Sequence, residues 1–353
     1  MKALVLAGGS GTRLRPLSHT MSKQLVPIAG RPVLFYGLEA LKDAGITDIG
    51  IVVGPKGDDV RQAVGTGAMF GVDVTYITQH APLGLAHCVQ VARGFLGDDD
   101  FLMYLGDNVI DGGVTALVKS FNTTRPDALV MVGKVADPRQ FGVARLDPDG
   151  RVLQVEEKSS TPCSDLALIG AYVFSPAIHQ AVRDTEPNWR NEREITDAIG
   201  RLVADGQDVR GEVFSGYWRD TGRVEDLLDC NREMLRAIRP AVHGQVDSAS
   251  ELIGAVHVEA GARITRSRLV GPAFVGVGTV ISDSHIGPYT SIGGDCEVTD
   301  AGLEDSIMLD ESGVRGVRGI SGSLIGRQAN VHRESTAAHR LVLGDHSRVA
   351  VAS

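Results

Sequence analysis

The chain has 353 residues, 43% of them hydrophobic, which is ample for burial and more than one core usually serves, so two domains are expected. A net charge of −9 and an isoelectric point near 5.6 argue against a nucleic-acid-binding surface and confine any phosphate site to a local cluster of cations. Four cysteines, Cys88, Cys163, Cys230 and Cys296, lie far apart with no C-x-x-C, which disfavours a zinc site or redox pair and reads as buried free thiols.

Only the apolar run Ala3-Leu4-Val5-Leu6 follows Met1-Lys2, and no later run approaches the ~18 apolar residues needed to span a bilayer. Neither signal peptide nor membrane anchor is expected, and the place expected is the cytoplasm. The first strand empties into Leu6-Ala7-Gly8-Gly9-Ser10-Gly11-Thr12-Arg13-Leu14-Arg15-Pro16, with Lys23 close behind. Glycines at a strand end bring backbone N–H groups against a polyphosphate without a Cβ in the way, and the cations answer its charge. The spacing fits neither the dinucleotide fingerprint G-x-G-x-x-G nor the P-loop G-x-x-x-x-G-K-[ST]. A bare Gly-Gly-x-Gly also suits an ordinary strand-to-helix turn; Arg13 and Lys23 tilt it towards nucleotide chemistry.

Up to about residue 238, short β-rich runs at 49–53, 72–77, 101–105, 128–132 and 167–174 alternate with helical stretches such as 32–44 and 85–95. This alternation predicts an α/β fold, a Rossmann-like mainly parallel sheet covered by helices, with ligands at the carboxyl ends of the strands. Asp107 stands directly after the run 101–105, and Asp220 follows another short apolar stretch; two carboxylates with phosphate oxygens suit Mg²⁺, although each aspartate alone also suits a turn or helix cap. In Val155-Glu156-Glu157-Lys158 two acids beside a lysine also fit a solvated strand end, and Gln79 with the turn Pro82-Leu83-Gly84-Leu85 offers an amide and a close backbone to a base edge.

Residues 224–238 read as an amphipathic helix with Leu227, Leu228, Met234, Leu235 and Ile238 on its stripe, closed by Arg239-Pro240. The expected domains are 1–238, a polar linker at 239–250, and 251–353. In the last, Val258, Val275, Ile292 and Leu309 are spaced by 17, as are Ile264, Ile281 and Val298, and again Leu269, Ile286, Leu303 and Ile320. Three interleaved series describe a three-faced parallel β-helix whose register loosens after about residue 305, where Gly313, Gly316, Gly319 and Gly322 crowd together. The open ends and flat sides of such a solenoid invite a homo-oligomer.

Taken together, the loop 6–16 with Ser22-Lys23-Gln24-Leu25-Val26-Pro27, Gly84-Leu85-Ala86, Leu105-Gly106-Asp107-Asn108, Glu156-Glu157-Lys158, Arg190 with Glu194-Ile195-Thr196-Asp197, and Asp220-Thr221-Gly222 resembles the sugar-1-phosphate nucleotidylyltransferases. The likeness is closest to the branch that carries a C-terminal left-handed β-helix and transfers a thymidylyl group from dTTP to glucose 1-phosphate, and it spans essentially the whole chain.

The resemblance implies that Leu6, Gly8, Gly9, Gly11 and Thr12 lie against the nucleotide, that Arg13 and Lys23 neutralise its phosphates, and that Gln79 and Gly84 read the pyrimidine. It implies Mg²⁺ on Asp107 and Asp220, the sugar phosphate on Lys158 with Arg190 nearby, and a hexose pocket lined by Asn108, Gly142, Glu157 and Tyr172. Two features depart from the family pattern: Ser159 stands where a proline often follows Glu-Glu-Lys, and 189–193 is more polar than the usual Arg-Gly-Glu-Leu. UTP or another triphosphate with a different hexose 1-phosphate is the alternative within the class. A bifunctional enzyme with acyltransferase chemistry on the solenoid, using His285 or His332 as base, is the alternative outside it.

Overall fold

The computed structural model describes residues 1–9, 11–55, 57–334 and 345–350. The chain divides into two compact units, Met1–Ser10 with Leu34–Asp220, and Gly11–Val33 with Thr221–Ser353. Among the described residues no helix is long and apolar enough to cross a membrane.

In the first unit β1 (Lys2–Leu6) pairs in parallel with β2 (Asp48–Val53) and β4 (Phe101–Leu105), and β2 pairs in parallel with β3 (Asp73–Thr78). Helices cover such strands on both faces, so β1 and β4 read as unbroken apolar runs, with Ala3, Leu4, Val5 and Phe101 fully buried. Between β4 and β6 (Ala128–Lys134) lies the nine-residue β9 (Leu166–Phe174), antiparallel to both. Towards the far edge β7 (Gly142–Leu146) pairs antiparallel with β8 (Val152–Glu157) and touches β9, while β10 (Val209–Phe214) lies parallel to β6. The parallel half is the pattern expected from the alternation; β9, β7 and β8 make the sheet mixed.

The helical stretch expected at 32–44 is α1 (Val33–Asp43), and the one expected at 85–95 is two pieces, α2 (Leu85–Val91) and a short turn at Arg93–Leu96, with Gly94 weakening continuity between them. Helix α3 (Ile195–Ala204) buries Ile195, Ala198, Ile199 and Leu202 against the core that Phe101, Met103, Val130 and Tyr172 share.

In the second unit α4 (Val224–Arg236) buries Leu227, Leu228, Cys230 and Leu235, and Asn231 sits fully buried within that apolar stripe. Beyond it come three all-parallel sheets of six, six and five strands, the three faces of a parallel β-helix, consistent with left-handed winding. Val258, Val275 and Ile292 on one face, Ile264, Ile281 and Val298 on the second, and Leu269, Ile286 and Leu303 on the third fill its interior.

Two expectations change. Residues 239–250 are not a linker: Ala241–Val242 and Gln245–Val246 already pair with the next coil, so the solenoid begins at Ala241. Their register offsets are one residue short and one residue long of the repeat (Val242 to Val258, Val246 to Ile264), which is why the regular spacing did not reveal them. At the other end parallel pairing continues to Asn330–His332, with a one-residue slip in the register close to where loosening is expected. One residue is missing between Leu303 and Met308 and regained before Ile320, so Met308 rather than Leu309 pairs in register with Ile292.

Each coil contacts only its neighbours, so a void in one face is not relieved by distant rearrangement. Leu269→Ala, at a position with no exposure, is expected to cost about 2–5 kcal/mol, read as a lower denaturation midpoint of the β-helix.

Candidate active site

The carboxyl ends of β1, β2, β3 and β4 lie along one edge of the sheet, because these strands are parallel neighbours. Gly8, Gly54, Gln79 and Asp107 are therefore delivered together. Backbone bonds tie the ends: Ala7 N donates to Val52 O (2.8 Å), Gln79 N to Val53 O (2.9 Å), and Gly106 N to Leu6 O (3.0 Å). Leu6 itself is core, and its contribution to this edge is that carbonyl, which holds the Gly106-Asp107 turn against β1.

Asp107 opens a turn into β5 (Asn108–Ile110), and β5 pairs antiparallel with β11 (Trp218–Asp220). The register sets Asp220 opposite Asn108, so two aspartates more than a hundred residues apart in sequence stand at neighbouring positions at one end of a short ladder. Asn108 is 2% exposed and its amide is spent locally: Nδ2 donates to Asp107 Oδ1 (3.2 Å) and Oδ1 accepts from the Trp218 indole (2.6 Å). Tyr104 donates to the Asn108 carbonyl (2.9 Å), and Trp218 meets the Phe141 ring edge-on at 5.6 Å. Asn108, expected in the hexose pocket, thus braces Asp107. Trp218 is a residue the sequence reading missed; alternation along β11 puts it on the same face as Asp220, which was the available signal.

Two carboxylates offer hard oxygen donors of the kind Mg²⁺ takes while keeping places for substrate phosphates. No group of three or more His, Cys, Asp and Glu that could hold a metal occurs among the described residues.

Gln79 is buried, its Nε2 donating to Gly84 O (3.1 Å) and facing His87 Nδ1 (3.0 Å). The Gly84 backbone is left-handed (φ +95), and a Cβ there would lie 2.3 Å from Arg193 O. The turn is held to the 188–194 segment by Arg193 N to Leu83 O (2.8 Å) and Ala86 N to Arg193 O (3.0 Å). The glycine is required by this backbone approach, a partner that local sequence did not disclose.

At the far edge of the sheet, Glu157 lies opposite Gly142 across the β7–β8 pair. One carboxylate oxygen of Glu157 accepts from Thr196 Oγ1 (2.6 Å) and the other meets Lys158 Nζ (2.8 Å). Arg190 binds Glu194 (2.5 Å) and Glu192 (2.9 Å), and Glu194 also accepts from Asn188 Nδ2 (3.1 Å). Burial, then the charge of Glu157, pushes the Glu194 carboxyl up, while Arg190 pulls it back. Burial first and then the charges of Glu157 and Glu194 raise the hydroxyl of buried Tyr172, which stays a protonated donor. Glu194 and Thr196 are further members of this cluster; both stood in the quoted motif without a role.

In the second unit Gly11 is left-handed (φ +57), and its carbonyl accepts from Ser18 Oγ (2.7 Å). A Cβ on Gly11 would lie 3.0 Å from Ser18 Cβ and 3.4 Å from Lys23 Cβ, so the loop folds Lys23 back beside Gly11. Thr12–Leu14 is a single 3₁₀ turn with Leu14 buried and Thr12 and Arg13 exposed. On the solenoid His285 is exposed, and His332 lies 3.4 Å from Glu334. Cys88, Cys230 and Cys296 are buried and Cys163 half-buried, all as free thiols, with burial pushing Cys88 up to about 12.

A parallel sheet that gathers a glycine turn, a buried amide and paired aspartates at one edge defines a nucleotide-binding α/β domain. The family model described as nucleotidyl transferase matches residues 2–237, and the chain belongs to that family. It is 56% identical over the full length of both chains to a glucose-1-phosphate thymidylyltransferase of Streptomyces antibioticus, and 55% identical, again over the full length of both, to that of Streptomyces griseus. A solved Bacillus anthracis structure assigned to the same activity is 32% identical with a TM-score of 0.63, covering 68% of this chain and 97% of its own.

Desolvation, reinforced by Arg193, holds His87 below the ordinary histidine value of about 6.5. Nδ1 faces the Gln79 amide donor, so the neutral ring is the one that accepts; protonation would set donor against donor. A histidine depressed in the folded state contributes stability above its unfolded value and loses it as pH falls through the folded one. Denaturation midpoints of the wild type are expected to fall more steeply below about pH 6.5 than those of His87→Gln, a difference that vanishes at pH 8.

Proposed function

We propose that this chain transfers the thymidylyl group of dTTP to glucose 1-phosphate, releasing pyrophosphate and forming dTDP-glucose. Full-length identity above half to the two Streptomyces thymidylyltransferases supports the activity. The observation that carries the site is the pairing of Asp220 with Asn108 beside Asp107, at the edge where Gly8 and Gln79 emerge.

The nucleophile, a phosphate oxygen of the sugar phosphate, is already an anion. It forms a bond to the α-phosphorus of dTTP as the bond from that phosphorus to the bridging oxygen breaks, and pyrophosphate leaves with the electron pair. No general base is needed, and the barrier is like-charge repulsion, so catalysis consists of alignment and neutralisation.

Lys158 holds the attacking phosphate, with Arg190 close to it; Lys23 neutralises the reacting phosphate and Arg13 the departing one. Gly8, Gly9, Gly11, Thr12 and the Leu6 strand end cradle the nucleotide, Gln79 and Gly84 meet the base, and Gly142, Glu157, Tyr172 and Asn108 shape and brace the hexose side. Asp107 and Asp220 would hold Mg²⁺, which supplies charge neutralisation for the triphosphate. In this reading residues 1–238 are the catalytic domain and the solenoid serves assembly into a homo-oligomer. The enzyme works in the cytoplasm, where nucleoside triphosphates are available.

Removing one charge from such a site typically costs about 2.7–4 kcal/mol of barrier. Asp107→Ala, Lys23→Ala and Lys158→Ala are each expected to lower turnover by about a hundredfold or more in a pyrophosphate-release assay; near-normal rates in all three would end the assignment.

Thymine differs from uracil by one methyl, worth only about 1–3 kcal/mol in a snug pocket. Kinetics with the four triphosphates should therefore favour dTTP over UTP by roughly 10–200-fold in kcat/KM, and a higher value for UTP or GTP would move the chain to another nucleotide.

A further inference from the structure

The second unit contains both the solenoid and the segment 11–33 that bears Arg13 and Lys23. That segment runs through the 3₁₀ turn Lys23–Leu25 into a hairpin, Pro27–Ile28 with Arg31–Pro32, closed by Val33 N to Val26 O (3.2 Å). Gln24, Val26 and Ile28 are buried, and the hairpin strand Pro27–Ile28 packs against α4. The hairpin tip is Ala29-Gly30, both left-handed (φ 47 and 79), the geometry of a tight two-residue turn.

Two elements grip this tip. Gly30 lies against Phe274 of the solenoid so closely that a Cβ would fall 2.3 Å from the ring. The other grip is Asn231 of α4. Its Oδ1 accepts from Ala29 N (2.8 Å) and from Ser291 Oγ (2.6 Å), and its Nδ2 donates to Tyr289 O (2.9 Å). One amide, with no exposure, therefore bonds the hairpin tip and a solenoid strand from the helix between them.

An open pocket of about 320 Å³ lies beside the tip, lined by Pro27, Gly30, Phe274 and Ser291 among others. A polar side chain inside an apolar helix stripe is costly unless fully bonded, so Asn231 specifies geometry where a leucine would only add burial.

We infer that Asn231 is a positioning residue: it fixes the Lys23-bearing loop to the β-helix, which makes the solenoid part of the nucleotide-binding apparatus. The inference rests on the role proposed for Lys23. A second bond between α4 and the solenoid supplies the control, since Arg232 pairs with Asp305 through two 2.6 Å contacts that involve no residue of the hairpin.

The experiment compares Asn231→Ala, Ser291→Ala and Asp305→Ala in the full-length protein by hydrogen exchange and by initial-rate kinetics with dTTP and glucose 1-phosphate. In Asn231→Ala, amide exchange in residues 23–31 is expected to rise by about tenfold or more. The same variant should lose about tenfold in kcat/KM for dTTP, with KM for glucose 1-phosphate changed by less than about twofold.

Ser291→Ala, which removes one bond and keeps the clamp on Ala29, should move the same quantities less, and it carries the test if Asn231→Ala does not fold. Asp305→Ala is expected to leave both readouts at wild-type values. Unchanged hairpin exchange in the Asn231 and Ser291 variants, or equal effects from Asp305→Ala, would overturn the inference. A wild type inactive with every triphosphate would instead overturn the proposed reaction, and hairpin exchange would still decide the clamp.

Discussion

The short ladder between Asn108–Ile110 and Trp218–Asp220 is the constraint that brings Asp220 beside the Asp107-Asn108 turn. It closes a loop of more than a hundred residues with three register positions, and the entropy of that closure must be met by contacts at its end. The indole bond from Trp218 to the Asn108 amide and the edge-on contact with Phe141 supply them. Asn108 then passes the constraint to Asp107 through its own Nδ2. Asp107 is thus braced by a neighbour that is itself buried and bonded on both sides of its amide.

The sugar-side cluster follows a different rule. Burial and the charge of Glu157 raise the Glu194 carboxyl, and Arg190 is bound to it, while Thr196 and Lys158 are bound to Glu157. Lys158 is held by Glu157 at an exposed position. The polar stretch 189–193 is accounted for by the same economy: Arg190 is fixed by acids on either side, and the Arg193 backbone closes the Gly84 turn.

The β-helix shows how a periodic sequence can hide its own ends. Its interior needs one apolar residue per short face, and turns of five or six residues both satisfy that need. A one-residue change at a corner therefore leaves the core intact while breaking a search for a fixed period. Ala241–Val242 and Gln245–Val246 were lost to such shifts, and Met308 displaced Leu309 in register for the same reason.

Sequence alone determined the features that arise from neighbours along the chain: the buried parallel strands, the glycine turn after β1, the helix beginning at Val224, and the solenoid from its apolar spacing. Those features follow from side-chain period and backbone preference, which are local and additive. Tertiary structure alone decided that Asp220 lies opposite Asn108, that Gly84 is dictated by the backbone of Arg193, and that Asn231 is a bonded clamp within an apolar stripe. Each of these depends on a partner far away in sequence, and no local pattern encodes which distant group will satisfy a buried polar atom or crowd out a Cβ.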